Sequence, residues 1–96
     1  MQKLDILAFG AHPDDVELGC AGTLLVAVAE GKKVGIIDLT KGELGTRGTA
    51  EIRTKEAKKD AKILGVSFRD QLDMADGFFR NNEKFQLEVI EKIRQY

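Results

Sequence analysis

Two short apolar runs and a weaker third strand candidate alternate along the chain with stretches of helical spacing, and this alternation limits the fold more than any other feature. The first run, Leu4–Phe9, reads Leu-Asp-Ile-Leu-Ala-Phe and is closed by Gly10. Near-continuous hydrophobicity over so few residues suits a strand covered on both faces, as in a parallel sheet. A helix is predicted from Asp14 to Glu30. Asp14 or Asp15 can cap it, Glu17 stands three residues after Asp14 as in a capping box, and Gly31 stops it. Its centre is apolar nearly all round, so it should be well buried. Val34–Thr40 reads as a second strand, and Lys41–Gly48, with glycine at 42, 45 and 48, as a loop. A second helix is predicted from about Thr49 to Leu64, with Ala50, Ala57, Ala61 and Leu64 on one stripe and Gly65 ending it. Val66–Leu72 is a third strand, weakened by Arg69, Asp70 and Gln71, and Glu83–Tyr96 is a third helix.

The order β-α-β-α-β-α implies an α/β fold: a Rossmann-like, three-layer domain with a mainly parallel sheet and right-handed crossovers. Three strands make a thin sheet for helices on both sides. Residues 1–96 are therefore expected to be the N-terminal portion of a single larger domain. Fifteen basic and sixteen acidic residues leave a net charge of -1, which offers nothing to a polyanion, so no nucleic-acid partner is expected. Cys20 is the only cysteine, which excludes an internal disulfide and a cysteine metal cage; a buried, inert thiol is expected. No apolar stretch approaches the ~20 residues that span a bilayer, and no charged leader opens the chain. The expectation is a cytoplasmic protein without a membrane partner.

Ligands of open α/β sheets sit beyond the carboxyl ends of the strands, and His12-Pro13-Asp14-Asp15 falls there. Imidazole and carboxylate are both zinc ligands, and three protein ligands plus water make a catalytic site. Pro13 biases His12 towards extended backbone. A second carboxylate off the metal can take a proton from activated water, and adjacent aspartates allow that division of labour. The same acids also serve a plain first helical turn, where they favour the helix dipole. The tetrapeptide itself arises by chance in on the order of one chain in a few thousand of this size.

Ala11-His12-Pro13-Asp14-Asp15-Val16-Glu17-Leu18-Gly19 resembles the signature of the LmbE/PIG-L zinc-dependent deacetylases. Leu39–Gly48 with Arg53, Glu56 and Ala57 resembles that family's second motif, most closely in the branch that includes the bacillithiol-biosynthesis deacetylases. The likeness implies His12 and Asp15 as ligands of one Zn2+, Asp14 as general base, and Arg53 as a substrate-binding residue that grips sugar hydroxyls. It further implies removal of an N-acetyl group from an N-acetylglucosamine-containing small molecule, such as N-acetylglucosaminyl malate, by a homo-oligomer (trimer or hexamer). Without the resemblance Arg53 reads as a solvated partner of Glu56; with it, as a binding residue.

His12 is the only histidine, whereas the family takes its third ligand from a later His-containing motif. Glu17 and Glu43 are available carboxylates, but no spacing selects either. Two ligands hold a catalytic zinc poorly, so the 96-residue chain alone is expected to be inactive. The glycine loop is neither a Walker loop nor a dinucleotide fingerprint. It reads as a mobile rim, with Thr46 and Arg47 as candidate contacts and Asp73 and Asp76 at the same sheet edge. Two rival readings remain open: a non-catalytic Rossmann-like module that binds a sugar or nucleotide, and a magnesium-binding receiver domain with Asp73 as phospho-acceptor.

Overall fold

The computed structural model describes residues 3–41, 49–74 and 80–96. Six elements follow in order: β1 (Ile6–Gly10), α1 (Asp15–Ala29), β2 (Val34–Asp38), α2 (Ala50–Leu64), β3 (Phe68–Gln71) and α3 (Glu83–Gln95). The strands form one parallel sheet in the order β1-β2-β3. Central β2 is buried along its whole length, as its unbroken apolar run required, while β1 and β3 are mostly half-buried. Register aligns Gly10 with Asp38 and Asp38 with Gln71, so the three strands finish together.

Side chains alternate across the sheet, which sorts the strand residues into two sets. Ile6, Ala8, Val34 and Ile36 pack with Val16, Leu24 and Ala27 of α1 and with Leu64 of α2 in one apolar cluster. Arg69 and Gln71 share that face: Arg69 reaches Glu17 of α1, and Gln71 reaches Thr54 of α2. Phe68 and Asp70 point the other way, where Phe68 lies 4.1 Å from Tyr96 between ring centroids and Asp70 receives Lys92 of α3 at 3.0 Å. Helices therefore cover both faces, giving the three layers expected.

The glycine stops act as the sequence implied. Gly31 and Gly65 take left-handed backbone (φ 82° and 75°), and the next residue's N–H returns to the helix, Lys32 to Ala27 and Val66 to Ala61. Thr49 and Asn82 cap α2 and α3, their side chains accepting from the N–H of Ile52 and Phe85.

Three expectations need correction. Asp14 occupies the N-cap position of α1, but its side chain accepts no capping bond and Glu17 turns inward to Arg69, so no capping box forms. The first helix is less buried than its composition suggested: Leu18, Leu25 and Val26 are exposed. Apolarity all round does not select a buried face, and one layer of sheet covers only one side of the helix. Cys20, expected to be buried, is half-exposed and sits at a kink in α1 with non-helical backbone (φ -148°, ψ 24°) between Gly19 and Gly22. Likewise α3 buries none of its residues fully, and Leu87, Ile90 and Ile93 remain exposed.

Candidate active site

The chain leaves β1 at Gly10 and must enter α1 within a few residues. Gly10 is needed for this approach: a Cβ there would meet Val16 Cγ2 at 3.0 Å and Asp15 Cβ at 3.2 Å. Pro13 is fully buried, and its carbonyl accepts from Arg53 Nη2 at 2.9 Å, which ties the turn to α2. Thr40, just beyond β2, donates to the Ala11 carbonyl through both N–H (3.1 Å) and Oγ1 (3.0 Å), extending the strand pairing under the turn. Asp14 then takes left-handed backbone with φ 85°, the one described residue other than glycine to do so. Aspartate tolerates that region better than most side chains, yet the geometry still carries strain and persists only where its surroundings enforce it.

This turn brings His12 and Asp15 together. Asp15 Oδ2 accepts from the His12 backbone N–H at 3.0 Å and lies 3.3 Å from His12 Nδ1. That second distance is long for a hydrogen bond between a ring nitrogen and a carboxylate. It matches the separation of two ligand atoms on a tetrahedral zinc, which bond lengths of ~2.0–2.2 Å set at about 3.3–3.5 Å. Both side chains are open to solvent, at 38% and 47% exposure, so an ion has access. The pair thus fits two positions of a zinc site. Asp14 points elsewhere, and its carboxylate joins those of Glu17 and Asp60, with one oxygen from each lying within 4.8 Å of the others.

Behind the turn lies a buried ionic network that the sequence reading did not anticipate. Arg69 of β3 forks onto Asp38 at the end of β2, with Nε to Oδ2 at 3.0 Å and Nη2 to Oδ1 and Oδ2 at 3.0 and 2.9 Å. Nη2 also reaches Glu17 Oε1 at 3.1 Å. Side-chain exposure is 5% for Arg69, 2% for Asp38 and 15% for Glu17. One guanidinium thus serves two carboxylates, and the consequences differ for the partners. Burial pushes the Asp38 carboxyl up to about 6; Arg69 opposes this, while Glu17 and Asp14 add to it. Burial works against the Arg69 charge, but its bonds to Glu17 and its pairing with Asp38 prevail and raise its pKa. The available signal was a charged residue closing an apolar strand (Asp38), matched by a basic one in the strand whose polarity looked like weakness (Arg69).

Other expected contacts fall differently. Arg53 is half-buried against the turn, although spacing alone allowed a solvated partner of Glu56. Asp73 is largely exposed and pairs with Lys41 at 3.8 Å. Glu43, Thr46, Arg47 and Asp76 lie outside the described residues.

Comparison with known proteins places the chain in a family and agrees with its α/β fold. A family model described as PIG-L, GlcNAc-PI de-N-acetylase, matches residues 7–96. The uncharacterized deacetylase YaiS of Escherichia coli is 41% identical over 75 residues, covering 78% of this chain and 40% of that protein. Diacetylchitobiose deacetylase of Thermococcus kodakarensis is 31% identical over 97 residues, covering 94% and 36%. Among solved structures, the conserved protein TT1542 from Thermus thermophilus superposes with a TM-score of 0.91 at 45% identity, covering 97% of this chain and 42% of the other. The chain spans about two fifths of the length of these relatives.

Proposed function

Because the chain belongs to the PIG-L family of de-N-acetylases, we propose that residues 1–96 form the N-terminal portion of a single deacetylase domain that hydrolyses the acetamido group of an N-acetylglucosamine-containing small molecule. The observation that carries this reading is the approach of His12 Nδ1 and Asp15 Oδ2 at ligand spacing, in a turn whose intervening Asp14 takes left-handed backbone. His12 and Asp15 hold Zn2+, and the remaining protein ligand comes from outside these 96 residues. Zinc, when bound, polarises the amide carbonyl and makes water nucleophilic near neutral pH. Asp14 takes the proton of the attacking water and returns it to the nitrogen of the departing amine. Arg53, tethered to Pro13 at the rim of the turn, binds substrate hydroxyls.

Support for an amino-sugar substrate comes from relatives named for diacetylchitobiose and for an inositol-linked acetamido-glucopyranoside. We extend this to N-acetylglucosaminyl malate as the natural substrate, to a trimeric or hexameric assembly and to a cytoplasmic location. No helix of the described residues is long and apolar enough to cross a membrane.

The test is amine release by the intact, zinc-loaded protein from N-acetylglucosaminyl malate and N,N'-diacetylchitobiose, with zinc titrated into both the intact protein and the 96-residue chain. We expect stoichiometric zinc and turnover only in the intact protein. Tight binding by the short chain would show that no further ligand is needed, and an intact zinc protein inert towards both amides would refute the activity.

A further inference from the structure

We propose that Arg69 is a positioning residue for Asp14 and Asp15, holding the first turn of α1 through a guanidinium shared between Asp38 and Glu17. This rests on the deacetylase reading for its consequences, while its geometry stands independently. Asp38 ends central β2, so its place is fixed by the sheet on both sides. Arg69 is locked to it by a planar fork, which an ammonium group could not reproduce. The same Nη2 then fixes Glu17, three residues after Asp14 and two after Asp15.

Arg53 and Thr40 hold the loop before the helix at the Pro13 and Ala11 carbonyls, and Glu17 carries the anchorage on into the first turn of α1. Asp14 makes no capping bond to the helix, and its left-handed backbone needs outside restraint. A free Glu17 at the third position would swing to the backbone N–H groups at the helix start, as in an ordinary capping box. Arg69 draws it inward instead, so the helix start is pinned from beneath by an ion pair rather than closed by its own side chains. Buried ion networks often add little net stability over apolar side chains of similar volume, which leaves geometry as the purpose this one serves. Arg69 touches neither substrate nor metal in this scheme and acts only through Glu17.

Intact protein carrying Arg69→Lys, Glu17→Ala, or both tests this. Zinc affinity is read by competition with a chromophoric chelator, and kcat and KM by amine release. Arg69→Lys should weaken zinc binding by roughly 10–100-fold and lower kcat by a similar factor, with KM within about twofold. Glu17→Ala should reproduce both losses, and the double variant should be no worse than about twofold beyond either single one, because the two act in one path. Wild-type zinc affinity and kcat in a folded Arg69→Lys protein would overturn the proposal, as would losses that multiply in the double variant. Should Arg69→Lys fail to fold, Glu17→Ala decides alone: it leaves the Asp38 fork intact, and unchanged zinc affinity refutes the role. If the wild type binds zinc but cleaves neither amide, the deacetylase reading fails and the zinc affinities still decide positioning. A wild type that binds no zinc overturns both.

Discussion

Two ionic assemblies stand within one helical turn of each other, and they obey different physics. His12 and Asp15 are open to water, long in their contact and held mainly by backbone. Asp38, Arg69 and Glu17 are buried, short in their contacts and held by one another. The first pair can exchange its mutual contact for a cation at little cost, because water already solvates both groups. The second cannot, since losing a partner strands a charge in the interior. The zinc site proposed for this turn asks for side chains that can trade their contacts and for a support that does not yield, and the exposed pair and the buried network differ in just this way.

The widest separation of the two should appear on exchanging Asp14 for Asn in the intact protein. Asparagine tolerates left-handed backbone about as well, so the turn survives while the proton acceptor is lost. Turnover should fall by about 10²–10⁴-fold with zinc content and Tm near wild type. Retained activity would remove Asp14 from the chemistry. Next in size is Arg69→Met, which leaves two carboxylates without their cation in the interior. It should cost about 3–5 kcal/mol in denaturant unfolding, whereas His12→Ala or Asp15→Ala should cost no more than about 1 kcal/mol. Equal losses at the two assemblies would erase the distinction between them.

Most of the fold was legible because it rests on local signals. Gly31 and Gly65 mark helix ends by needing left-handed backbone, and the apolar run around Ile36 and Ile37 requires a covered strand. The His12–Asp15 turn was legible for the same reason, since four consecutive residues carry it. The Arg69 network was not, because its partners lie 31 and 52 residues from Arg69 and only the register of β3 beside β2 and the packing of α1 on the sheet join them. Read singly, Arg69 weakens a strand and Glu17 completes a capping box. Both inferences fail once Asp38 is known to end the neighbouring strand. The burial of α1 was misread for a related reason: its composition is apolar on every side, so only tertiary placement could show that Leu18, Leu25 and Val26 face away from the sheet.

Asp38 also makes the comparison visible in pH. Its carboxyl is raised from 3.8 to about 6 in the folded protein, mainly by burial. Between those values the folded state holds more protons than the unfolded one, so this group favours folding most below pH 3.8 and loses that contribution as pH rises through 6. The full difference amounts to about 3 kcal/mol. Unfolding of wild type and Asp38→Asn from pH 4 to 7 should show the slope in the first and its loss in the second. A slope surviving in Asp38→Asn would assign the titration to another group.

The smallest expected effect concerns backbone alone. Asp14 sits at φ 85° where glycine would sit without penalty, and no capping bond from its side chain offsets the strain. Asp14→Gly should therefore leave stability unchanged or raise it by up to about 1 kcal/mol, since the relief is partly cancelled by the greater freedom of glycine in the unfolded chain. Removing one carboxylate from beside Glu17 and Asp60 pushes in the same direction. The same variant should lose turnover as fully as Asp14→Asn. A protein made no less stable by the change that disables it would show that Asp14 is kept at this position for chemistry and not for the fold. A clear loss of stability would instead mean that the aspartate side chain braces the turn, and Asp14 would then belong with the supporting network and not with His12 and Asp15.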